Sequence, residues 1–86
     1  LFTENWIMSK KGKTKIQLYV SEKVKELREE HSLTQEEFAE KINCSRSSFA
    51  GRENINSDEA FNLEAINTIA RVFNISPQYF IPKEAL

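Results

Sequence analysis

Apolar residues recur at helical spacing along most of this 86-residue chain. Leu63, Ile66, Ile69, Ala70 and Phe73 fall three or four positions apart, which places them on one stripe of a helix. Asn62 precedes that stripe as a cap, and Asn74 ends it. Phe38, Ala39 and Ile42 make a shorter stripe, opened by Thr34 with Glu37 three residues on, the pairing of a capping box. Asn43 stands where the chain must turn, because Asn tolerates left-handed backbone better than most residues. Ser45 caps another helix, which runs to about Asn54, and a polar loop from Ile55 to Phe61 follows. Ser76-Pro77 opens a last short helix with proline at its first position, and Pro82 closes it. Near the start, Ile16, Leu18 and Val20 alternate with Gln17 and Tyr19 as in a strand, yet Ile16, Val20, Val24 and Leu27 also fit a helical stripe. A helix is expected from about Leu18 or Ser21 to Glu30, and the alternation before it stays open between the two readings.

These patterns predict an all-α domain of five helices, with residues 1–17 as a flexible or short extended basic arm, 18–82 as the folded unit and 83–86 as a tail. Two glycines and two prolines leave little room for the tight turns of a sheet-rich fold. The lone Cys44 excludes an internal disulfide framework and a multi-cysteine zinc site, and a reducing cytoplasm is the expected compartment. No apolar run approaches the roughly 18 residues of a membrane span, and Leu1 to Met8 lack the basic start and long apolar stretch of a signal peptide. Because the chain opens on Leu1, either Met8 is the natural start or the chain is a fragment.

A net charge of -1 argues mildly against nucleic acid, but its distribution changes that picture. Residues 1–20 hold four lysines against Glu4, whereas residues 21–41 hold four basic side chains against seven glutamates. Arg46 and Arg52 face only Glu53 in the centre. Lys10, Lys11, Lys13 and Lys15 are read as a solvated tail, with tracking of a phosphate backbone as the alternative. The chain offers no Gly-rich phosphate loop, metal-ligand cluster or nucleophile–base pair, so no enzyme, metal or cofactor is expected.

Thr34 to Asn54 is the informative stretch. Two short helices share the turn Asn43-Cys44-Ser45, with Ala39 small where helices approach and Cys44 and Phe49 apolar where the second packs on the first. That is the pattern of a helix-turn-helix, in which one helix braces and the next enters the major groove. Through Val24-Lys25-Glu26-Leu27-Arg28, Leu33-Thr34-Gln35-Glu36-Glu37-Phe38-Ala39-Glu40-Lys41, Ser45-Arg46-Ser47-Ser48-Phe49 and Glu53-Asn54, the chain resembles the Cro/C1-type, or XRE, family, with weaker matches from Leu63 to Phe80. The resemblance implies a lambda-repressor-like domain that binds double-stranded DNA sequence-specifically and regulates transcription as a repressor, commonly as a homodimer.

The same resemblance assigns roles. Arg46, Ser47 and Ser48 become candidate base contacts, and Arg46 suits the two acceptors of guanine. Gln35, Ser45, Arg52 and Asn54 become candidate phosphate contacts, with a structural role as the alternative for Arg52. Arg28 and Glu53 match a buried structural ion pair. Three positions depart from the family: Gly51 replaces a long base-reading side chain, Arg52 an apolar core residue, and Ile55 a common glycine. His31 is expected to satisfy carbonyls at the end of the first helix, and Cys44 to be a small buried hydrophobe. Trp6, Tyr79 and Phe80 either fill the core or form a dimer interface. The acidic helices and Gly51 motivate the alternative, an antitoxin-like module that engages a protein partner on the same scaffold.

Overall fold

Thr14 starts the first helix earlier than the apolar pattern suggests. In the computed structural model, which describes residues 12–86, helix α1 spans Lys15–Glu30. The Thr14 hydroxyl accepts from the Gln17 amide and the Gln17 side chain accepts from the Thr14 amide, a reciprocal cap that satisfies two otherwise orphaned donors. The alternation at residues 16–20 is therefore helical. Ile16 is exposed, and burial begins at Val20 and continues through Val24 and Leu27. The boundary expected at residue 17 moves back accordingly: Lys13 is buried and residues 15–17 are helix. Lys10, Lys11 and Trp6 lie outside the described residues.

The chain continues through α2 (Gln35–Lys41), α3 (Arg46–Glu53) and α4 (Leu63–Phe73) to one 3-10 turn, Pro77–Phe80. That turn stands where a fifth helix was expected. Tyr79 and Ile81 donate to carbonyls three residues back, Ser76 and Gln78. Pro82 has no amide to extend the spiral, and it holds Ile81 in extended backbone. Ser32, Asn43 and Asn74 take left-handed backbone with φ of 54°, 61° and 57°. After each, the next amide reaches back into the preceding helix: Leu33 to Arg28, Cys44 to Ala39 and Ile75 to Ala70. With few glycines to spare, polar residues perform the helix stops.

A row of aromatic rings ties the helices together. Phe73 stacks on Phe38 at 4.9 Å, Phe38 meets Phe49 at 4.9 Å, and Phe49 meets Phe61 at 5.7 Å, so α4, α2, α3 and the following loop share one core. Phe80 is fully buried in that core, and the half-buried Tyr79 packs edge-on against it. Leu63 departs from its stripe: it is 76% exposed, one turn beyond the edge of the core that buries Ile66, Ile69 and Ala70. His31 brings Nδ1 to 3.0 Å from the Leu27 carbonyl and sets its ring edge-on to Phe73. Cys44 is half-buried against the core.

Candidate nucleic-acid interface

Local chemistry fixes how α3 sits on α2. Thr34 and Glu37 form the expected capping box at the start of α2. After Asn43 turns the chain, the Ser45 hydroxyl accepts the Ser48 amide at 3.1 Å and starts α3. Ala39 and Phe49 are buried at the crossing, so the two helices meet through a small residue and a pair of tilted rings, Phe38 and Phe49. An N-cap of this kind contributes about 1 kcal/mol. The aromatic contact holds the angle.

The far end of α3 is locked from inside. Arg28 of α1 donates Nε to Glu53 Oε2 at 2.9 Å and a terminal nitrogen to Glu53 Oε1 at 3.1 Å. Its other terminal nitrogen donates to the Leu33 carbonyl at 2.9 Å. Gln35 adds its amide to Glu53 Oε1 at 2.7 Å. The Glu53 side chain is only 3% exposed, so the carboxylate has exchanged water for three donors. Among the described residues no buried side-chain nitrogen or oxygen lacks a partner. Gln35 thus couples the first turn of α2 to the last turn of α3, and its half-buried side chain still reaches the surface.

The near end of α3 faces solvent. Arg46 and Ser47 are exposed, as is Ser45, whose hydroxyl lies 3.5 Å from that of Ser47. Ser48 is half-buried. At about 100° per residue, Ser47 lies roughly 160° from the buried Phe49 and so marks the outward face. Arg52 lies roughly 140° around the helix from Ser47; it is half-buried, and its carbonyl accepts the Ser21 hydroxyl at 2.8 Å. Its side chain therefore stands away from the Arg46–Ser47 end. The helix runs through Arg52 without interruption, from Arg46 to Glu53.

A helix-turn-helix family model matches residues 24–80, from the middle of α1 through the final 3-10 turn. The chain belongs to the Cro/C1-type helix-turn-helix family, also called XRE. This is a family of DNA-binding domains. No curated protein and no solved structure matches the chain. In helix-turn-helix terms α2 is the bracing helix and α3 the recognition helix.

Two residues around this helix-turn-helix, Lys25 and Glu59, were not singled out from the sequence, and a third, Lys13, is not the solvated tail residue expected. Lys25 of α1 lines a shallow groove of about 360 Å³ with Gln35, Asn54 and Ile55, which sets a cation beside two candidate phosphate contacts. Lys13 donates its ammonium to the carbonyls of Asn54 and Ser57, the latter at 2.9 Å, and so fastens the loop after α3. Burial holds the Lys13 ammonium below the ordinary lysine value, an effect the Glu59 and Asp58 charges offset only in part. Glu59 lies directly over Gly51: a Cβ built on Gly51 would fall 1.7 Å from Glu59 Oε1. Spacing carries no trace of these arrangements, because each depends on the path of the 55–61 loop. Asn54 is engaged there as well, its side-chain oxygen accepting the Asn56 amide at 2.8 Å.

No helix among the described residues is long and apolar enough to cross a membrane. Among the same residues no three metal-ligating side chains cluster.

Proposed function

We propose that this domain binds double-stranded DNA sequence-specifically and regulates transcription as a cytoplasmic repressor, without enzymatic activity. One observation carries the reading: α3 is braced at its C-terminal end by a buried network and leaves Arg46 and Ser47 free at its N-terminal end. A rigid rod with exposed donors at its leading tip is what major-groove readout requires. In this reading Arg46 spans the two acceptors of a guanine, and Ser47 and Ser48 line the neighbouring base edges. Gln35, Ser45 and Asn54 hold phosphates, with the α3 amides adding a partial positive charge, and Arg52 approaches the backbone from the side of the helix. A homodimer would set two copies of α3 about one helical turn of DNA apart.

Selection of duplexes from a random pool, followed by binding at increasing salt, tests the reading. Enrichment of a defined motif and a steep loss of affinity with salt are expected. A folded protein that enriches no sequence at low salt would end it. A second reading, an antitoxin-like module that engages a protein partner, is favoured by the Glu59 carboxylate beside α3 and the net charge of -1. Absence of duplex binding together with a stoichiometric complex with a defined protein is its signature.

A further inference from the structure

The outward face of α3 is missing a side chain and has acquired one from elsewhere. Ser47 and Gly51 are four residues apart, within roughly 40° of each other around the helix, so they share the stripe opposite the buried Phe49, Ser47 exposed and Gly51 half-buried. Gly51 contributes nothing to that stripe but space. Glu59 fills it: a Cβ at residue 51 would fall 1.7 Å from Glu59 Oε1 and 2.9 Å from Cδ, so the carboxylate occupies the volume where residue 51 would project. The loop that delivers it is anchored. Lys13 binds the carbonyls of Asn54 and Ser57, the Ser57 hydroxyl accepts the Glu59 amide at 3.1 Å, and the Asn54 side chain closes a turn onto Asn56. Among the described residues no donor is hydrogen-bonded to the Glu59 carboxylate, which is exposed. A solvated acceptor, carried on an anchored loop backbone, therefore stands one turn along α3 from Ser47.

We infer that Glu59 is a specificity residue, reading the exposed amino group of a cytosine from the place Gly51 vacates. The inference rests on the DNA-binding reading above. A carboxylate only accepts, so on a major-groove edge it is matched by the N4 amino donor of cytosine, opposed by the acceptors of guanine and the O4 of thymine, and met at adenine by an N7 acceptor beside the N6 amino group. Glycine at 51 is needed for the carboxylate to lie there at all.

The test is selection from a random duplex pool with the parent, Glu59→Gln, Glu59→Ala and Gly51→Ala, each checked for helical content by circular dichroism. The parent is expected to prefer cytosine at one position, with substituted sites binding roughly five- to a hundredfold more weakly. Glu59→Gln should move that preference to adenine, since an amide donates and accepts against adenine N7 and N6. Glu59→Ala should abolish it, and Gly51→Ala should do the same by pushing the carboxylate aside. Variants that keep the parent's base frequencies, whether they bind more tightly or not, would reduce Glu59 to a repelling charge and overturn the inference. If the parent itself enriches nothing, the DNA-binding reading fails first, an outcome visible without any variant.

Discussion

At the C-terminal end of α3 an arginine, a carboxylate and an amide are folded onto one another; at its N-terminal end an arginine and two hydroxyls stand in water. The residue types are similar and the surroundings are opposite. Arg28 has used three nitrogens on Glu53 and the Leu33 carbonyl, so it has little left to offer a ligand. Among the described residues Arg46 makes no comparable side-chain commitment, and it is exposed. Burial, rather than charge, therefore separates the arginine that holds the domain from the one left in solvent, which is the proposed base reader. Gln35 lies between the two cases, giving its amide to Glu53 while remaining half exposed.

The contrast is broken most forcefully at the buried end. Arg28→Ala should destabilise the fold by about 3–5 kcal/mol, since it strands the Glu53 carboxylate without its charge partner. Urea denaturation measures this, and a loss under about 1 kcal/mol would mean that Glu53 is served by water and Gln35 alone. Replacing both partners together, with Arg28→Met and Glu53→Leu, should recover much of that loss, because neither charge is then left buried.

At the exposed end the effect should appear in binding and not in stability. Arg46→Ala is expected to leave the urea midpoint nearly unchanged and to weaken a selected duplex by about 1–3 kcal/mol, with relaxed preference at one position. Equal affinities for parent and variant across a duplex panel would remove Arg46 from the interface. Between the two ends, Ser45→Ala should cost about 1 kcal/mol of stability through the lost cap, and any further loss of DNA affinity beyond that reports a phosphate at the α3 amides.

The smallest effect concerns Lys13. Its folded value lies below the ordinary lysine value of 10.5, chiefly through burial, so in the interval between the two the unfolded chain binds more protons than the folded one. Stability contributed by this site should therefore rise with pH across that interval and stay at its lower level below it. Lys13→Met should remove the rise, measured as the difference in unfolding free energy between parent and variant from neutral to alkaline pH.

The amino-acid sequence by itself determined α2, α3 and α4 with their caps, and the membership of α2 and α3 in a helix-turn-helix, because capping, periodicity and left-handed stops act between residues a turn apart; the start of α1 at Thr14 was not legible in the apolar pattern. Thr34 with Glu37, Ser45 with Ser48 and Asn62 with Ala65 are such pairs. Arg28 and Glu53 could be matched across 25 positions only through the family resemblance. Tertiary structure alone decided that Gln35 joins that pair, that Lys13 is buried under the loop after α3, and that Glu59 covers Gly51. Those contacts depend on where a loop travels after it leaves its helix, and loop paths are set by the packing of Phe61 and its neighbours rather than by any short-range preference of the residues that end up touching.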